Sequence, residues 1–174
     1  MRRGSGGAQA QRGFTYFAVI IAVMTIGIAL AVVGVVTRTE VQRQREVQLL
    51  FVGHEFRRAV THYVALNGGH FPQSLDELVS DAHAVKTIHH LRRLYLDPLT
   101  RTTDWGLLRL PDGGIYGIYS VSTAVPLKRT GFEFLDSAFE DAPCYRAWRF
   151  TYVARGSRTL IDPEPVDCAT PRAP

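Results

Sequence analysis

Acidic residues are missing from the first 13 positions, charge of either sign from 14–36, and proline from everything before Pro72. Cysteine occurs only twice, at Cys144 and Cys168, without C-x-x-C spacing, so a tetrahedral cysteine metal centre is disfavoured. A Gly-rich phosphate loop, a nucleophile elbow and an HExxH helix are all lacking, and nothing positive supports an enzyme. The chain has 174 residues, 46% hydrophobic and 21% charged, which is ordinary globular composition and argues against disorder. The surplus of basic residues is local. Arg2, Arg3 and Arg12 lie in the acid-free leader, and setting them aside leaves 17 Lys and Arg against 16 Asp and Glu. A basic nucleic-acid-binding face on the folded part is therefore not expected.

The 23 uncharged residues from Phe14 to Val36 exceed the roughly 20 that a helix needs to span a bilayer. No A-x-A-like end follows the run, so it reads as a retained membrane segment and not as a cleaved secretory signal. Three arginines precede it and mixed charges (Arg38, Glu40, Arg43, Arg45, Glu46) follow, so the positive-inside rule predicts a cytoplasmic N-terminus. The remainder is expected outside the cytoplasm.

With no proline and only isolated glycines (Gly27, Gly34, Gly53), one continuous helix is predicted from about Phe14 to Leu66, roughly 80 Å long. In its second half, residues 37–66, Leu49, Val52, Phe56, Val60 and Tyr63 recur at helical spacing, while Gln48, Glu55, Arg57 and Arg58 fall elsewhere on the wheel. Asn67-Gly68-Gly69 should end the helix. Ser74 and Glu77 have capping-box spacing, predicting a short helix from Leu75 to about Asp81, and a further helical piece is expected over Thr87–Leu94. Asp97-Pro98 reads as a turn. The period then becomes two, predicting a hairpin of Trp105–Leu110 and Ile115–Val121 around Pro111-Asp112-Gly113-Gly114, and a later strand over Trp148–Val153. Thr123–Arg146 is expected to be irregular and the proline-rich tail after Asp162 extended. The predicted fold class is α+β: a long N-terminal helix, transmembrane in its first half, packed on a small antiparallel sheet.

Arg12-Gly13-Phe14-Thr15, after a basic leader and before the apolar run, resembles the class III signal of type IV pilins and type II secretion pseudopilins. Phe71-Pro72, Leu75–Val79, Asp97-Pro98, Trp105-Gly106 and Tyr119-Ser120 follow in an order similar to the major, G-type pseudopilins. The resemblance implies a leader over 1–13 that a prepilin peptidase removes after Gly13, with methylation of the new terminus at Phe14. It also implies residence in the inner membrane, a periplasmic domain over 67–174, and homo- or hetero-oligomeric assembly into a fibre. The expected partners are other pseudopilins, the inner-membrane assembly platform and membrane lipid. Ala18 with Ala22 and Gly27 with Ala31 place small residues four apart where helix backbones can approach.

Three positions depart from the family pattern. Ala18 stands where the family has a glutamate, Val35 where many members have proline, and Val121–Val125 where major members bind calcium. The calcium site is not carried over, and neither metal nor cofactor is expected. Asp136, Glu140, Asp141, Asp162, Glu164 and Asp167 read as solvated carboxylates, and the six histidines as surface residues. His54 and His62 are separated by about 12 Å along a helix, too far to share a metal, and the adjacent His89 and His90 do not face one another on a helix.

In an extracytoplasmic domain the two cysteines read as one disulfide, closing a loop of 25 residues worth roughly 3.5 kcal/mol in the chain-entropy model. Two free buried thiols are the alternative. For the whole chain, the alternative to a fibre subunit is a single-pass, membrane-anchored sensor or accessory binding domain, for which 13 residues before the span are a short output segment.

Overall fold

The computed structural model describes residues 11–81, 87–154 and 166–168, with the side chains of 11–14 and 29–37 left aside. By contact density the chain divides into Met1–Gln42 and Arg43–Pro174. One element runs through both: helix α1, Gln11–Leu66, 56 residues long. It is followed by α2 (Leu75–Val79), strands β1 (Trp105–Arg109) and β2 (Ile115–Ser120), two 3₁₀ turns (Phe134–Phe139 and Tyr145–Ala147) and β3 (Arg149–Thr151). The α+β class and the small antiparallel sheet agree with the sequence expectation.

In the first unit Tyr16, Phe17, Val19, Ile21, Val23, Met24, Ile26 and Ile28 are exposed. Among the described residues no helix is long and apolar enough to cross a membrane. Part of the expected span, Phe14 and 29–36, lies outside the described side chains.

In the second unit the predicted stripe is the core. Leu49, Val52, Phe56, Val60 and Tyr63 are all buried, as are Ala59 and Val64. Phe56 meets Trp105 of β1 edge to face at 5.5 Å between ring centroids. Farther along the same face, Gly53 lies so close to the Phe150 ring of β3 that a Cβ would fall 2.3 Å from it. Gly53, read from the sequence only as an isolated glycine, is thus a point of close approach between helix and sheet. Trp148 is fully buried and stacks on Phe139 at 5.7 Å, extending the core under the first 3₁₀ turn.

The helix ends where Gly68 and Gly69 take φ of 63° and 93°, and Gly69 N–H donates to Val64 C=O at 2.9 Å in the Schellman manner. At α2 the Ser74 hydroxyl accepts from Glu77 N–H at 3.4 Å, but the Glu77 carboxylate accepts from Gln73 N–H instead of the cap residue's own. The helix stops at Val79, short of the expected Asp81.

Residues 87–94 are not helical. Ile88 pairs with Asp81 in an isolated antiparallel bridge, and Leu91 N–H donates to Leu78 C=O at 2.7 Å. The backbone groups that a helix would use are thus spent on the α2 region, and Leu91 is buried by it. The Asp97 turn forms as read, with the buried carboxylate accepting from Leu99 N–H at 2.8 Å and from the Ser120 hydroxyl at 2.6 Å.

The sheet order is β1-β2-β3, antiparallel throughout. Trp105 pairs with Ser120 and Leu108 with Gly117, after which the register shifts so that Arg109 faces Ile115. Gly117 pairs with Thr151 and Ile118 with Phe150. β3 is shorter than the expected Trp148–Val153. The region 123–146, expected to be irregular, contains the six-residue 3₁₀ turn Phe134–Phe139.

Candidate functional site

The described positions expected to serve assembly and processing all lie on α1. Ala18, Ala22 and Gly27 are on its exposed surface. The side chains at Phe14 and Ala31 lie outside the described residues; of the expected leader over 1–13, Gly13 is within the described helix backbone and residues 1–10 lie outside the description.

The second unit carries polar clusters that the sequence did not reveal, and each joins α1 to a later segment. The first is centred on Glu46, buried at 3% exposure. Its carboxylate accepts from Leu127 N–H at 2.5 Å, Lys128 N–H at 3.3 Å and the Tyr145 hydroxyl at 2.7 Å. A buried carboxylate is costly unless its lone pairs are satisfied, and three donors here satisfy it.

The second cluster corrects three expectations. Arg57, read as solvent-facing, and Asp136, read as a solvated carboxylate, are 9% and 2% exposed. They pair at 2.8 Å, and Arg57 Nε donates to Thr151 C=O at 3.1 Å. His54 Nε2 lies 2.5 Å from the other Asp136 oxygen, so this histidine is a partner of a buried charge and not a plain surface residue. The cluster clips the Phe134–Phe139 turn and the end of β3 to the helix.

The third corrects the histidine expectation again. The His90 side chain is buried, its Nε2 lies 3.1 Å from Asp81 Oδ2, and its Nδ1 lies 2.8 Å from Nδ1 of His62. His62 approaches His90 from another element, which spacing along one helix does not show. Asp81 also accepts from Asn67 Nδ2 at 2.9 Å.

Beside it the Tyr63 hydroxyl donates to Glu77 at 3.0 Å. Burial, with the Glu77 hydrogen bond and the charges of Glu77 and Asp81, pushes the Tyr63 phenol up to about 12.

Cys144 and Cys168 form a disulfide, with Cα atoms 6.0 Å apart. Arg146 Nη1 donates to Asp167 C=O at 3.3 Å, so the described part of the tail, 166–168, is held beside the second 3₁₀ turn. The rest of the tail lies outside the described residues.

Among the described residues no group of three or more His, Cys, Asp or Glu side chains could hold a metal ion. Among the described residues no serine, cysteine or lysine is placed as an activated nucleophile by these clusters, whose carboxylates are hydrogen-bonded within them. They are suited to fixing chain segments on α1. A signal for the first was present: Glu46 falls on the apolar stripe itself, at the spacing 46, 49, 53, 56, 60, 63, where a solvated residue has no place. No protein-family model, no curated protein and no solved structure matches the chain.

Proposed function

We infer that the chain is a pilin-like structural subunit, a pseudopilin of a type II secretion or related type IV pilus-like machine. In this reading it is stored in the bacterial inner membrane and assembled into a periplasmic fibre that drives protein export. One observation carries the reading. A single 56-residue helix buries one stripe of its C-terminal half under a three-stranded sheet while the apolar side chains from Tyr16 to Ile28 stay exposed. Eight large apolar side chains on one exposed stretch are unfavourable in water, and lipid or a bundle of like helices would cover them. The polar clusters along the second half of α1 support the same role, because a subunit that transmits load along its helix needs its loops fastened to that helix.

Within this reading Gly13 and Phe14 flank the bond cut by the prepilin peptidase, and Ala18, Ala22, Gly27 and Ala31 lie where neighbouring helices pack. Ala18 in place of the family's glutamate removes a buried carboxylate that a neighbour's terminal ammonium would otherwise have to satisfy. Such a subunit depends on partner pseudopilins or occupies a fibre position where no neighbouring amine needs pairing.

The test is the intact mass of protein extracted from membranes in the presence of its peptidase. The expected mature chain begins at an N-methylated Phe14, and Gly13 replaced by a bulky residue leaves full-length precursor. A mature chain that begins at Met1, or inside the apolar run, refutes the proposal.

A further inference from the structure

Two imidazoles from distant parts of the chain point their Nδ1 atoms at one another. His62 sits on the exposed side of α1, and His90 follows the Asp81–Ile88 bridge. The nitrogens are 2.8 Å apart, with ring centroids at 4.9 Å and planes inclined by 60°. The two rings differ in freedom. His62 is exposed, whereas the His90 side chain is fully buried and packs edge-on against Tyr63 at 5.2 Å.

The hydrogen bonding fixes the His90 tautomer. A carboxylate only accepts, so the Nε2 that faces Asp81 carries the proton. Neutral His90 therefore aims the Nδ1 lone pair outward, at His62. Asp81 is itself fixed, at 1% exposure, by Asn67. A buried carboxylate that orients one nitrogen of an imidazole while the other points to a second imidazole is the arrangement found behind metal-ligating histidines.

We propose that His62 and His90 form a two-imidazole site for a divalent transition-metal ion of the zinc class, with water completing the coordination and Asp81 orienting His90 from behind. At metal–nitrogen distances of about 2.05 Å and tetrahedral angles, the ligand nitrogens stand about 3.3 Å apart. The present gap must open by about 0.5 Å, a movement that the exposed His62 ring can make alone.

Coordination also requires the His62 Nδ1 lone pair. Its proton moves to its own Nε2 by exchange with solvent, so two neutral rings bind the ion without net proton release. Asp81 and Glu77 lie on this side of α1, the basic neighbours Arg57 and Arg58 are paired to Asp136 and Glu55, and Arg93 stacks on the Tyr95 ring. A bound ion would staple the 87–94 segment to α1.

The test uses the full chain in detergent micelles, stripped with chelator and titrated with Zn²⁺ by calorimetry at neutral pH. One saturable equivalent is expected, together with a rise in the thermal midpoint as zinc is added. His62→Ala should weaken binding at least tenfold while leaving the tryptophan fluorescence of the folded chain unchanged, and Asp81→Asn should weaken it by about 10- to 100-fold. His70→Ala, an exposed control on the same side of the chain, should bind as the parent does. Absence of saturable binding up to millimolar zinc overturns the proposal. Parent-like binding by His62→Ala does so too, as does loss of binding in His70→Ala.

Discussion

Removing the Asp136 carboxylate should cost far more than removing a surface charge, and removing its partner as well should restore most of the loss. Asp136 is 2% exposed and Arg57 9%, their contact is 2.8 Å, and the guanidinium also lies 5.8 Å from the centre of the Phe150 ring. In Asp136→Ala the guanidinium keeps only Thr151 C=O as a strong acceptor in this cluster, leaving a buried cation without its counter-charge. Breaking one side of such a pair costs about 3–5 kcal/mol, against about 0–1 kcal/mol for an exposed pair. Arg57→Met keeps the apolar stem and leaves Asp136 with His54, so its cost should be the smaller of the two. The double variant Arg57→Met with Asp136→Leu leaves no buried charge and should fall within about 1–2 kcal/mol of the parent.

Urea unfolding followed by tryptophan fluorescence is the assay. Trp105 and Trp148 are 3% and 0% exposed, and the first unit contains no tryptophan, so the signal belongs to the folded second unit. With a slope of about 1–3 kcal/mol per molar urea, a 4 kcal/mol loss moves the midpoint by roughly 1.5–4 M. The coupling in the double-mutant cycle should exceed about 2 kcal/mol. Single variants that each cost under 1 kcal/mol, or a double variant whose loss equals their sum, would refute the assignment of this cluster as a buried clamp.

Gly53→Ala gains about 1 kcal/mol of helix propensity, but its Cβ would lie 2.3 Å from a Phe150 ring already fenced by Phe139 and His54, so a net loss of about 1–2 kcal/mol is expected in the same assay. Glu46→Gln leaves one of three donors facing an amide NH₂ and removes the charge from the others; a loss of about 1.5–3 kcal/mol and faster amide exchange at Leu127 and Lys128 are expected. Tyr63 has a folded-state value near 12 against about 10 unfolded, so its contribution is complete below pH 10 and lost as pH rises through 12; parent minus Tyr63→Phe should therefore shrink by about 3 kcal/mol across that window. Alkylation of unreduced, unfolded protein should label neither Cys144 nor Cys168, and labelling of both would contradict the bridge.

The helix, the hairpin and the Asp97 turn were legible because local chemistry decides each of them. A proline-free stretch with helical periodicity continues until two glycines stop it, and Pro111–Gly114 between alternating runs makes a turn. The polar clusters were not legible, because their partners lie far apart in sequence: Glu46 and Tyr145 are separated by 99 residues, Arg57 and Asp136 by 79. A charged residue on a helix wheel is assigned to solvent unless something is known to cover it. Arg57 shows the limit, since it follows Phe56 directly and is covered because the 3₁₀ turn at Phe134–Phe139 and the end of β3 lie against it. The 87–94 segment failed for the opposite reason: Leu91 and Leu94 have helical spacing, but backbone pairing to Asp81 and Leu78 outcompetes the local helix.

The clusters share a geometry that bears on how the second unit holds together. Proceeding along α1, Glu46 receives 127–128 and Tyr145, Arg57 receives Asp136 and Thr151, His62 receives His90, Tyr63 receives Glu77, and Asn67 receives Asp81. A three-stranded sheet with strands of five, six and three residues is too small to organise that much irregular chain by itself. The helix and its C-terminal turn supply what the sheet lacks: a row of polar anchors interleaved with the apolar stripe, so that each long connection is fastened where it crosses. Hydrophobic burial fixes which face of α1 meets the sheet, and the anchors fix the register of the loops on it. Loss of any one clamp should therefore loosen its own connection first and leave the Phe56–Trp105 contact in place. Loss of the stripe, by contrast, would release all of them together.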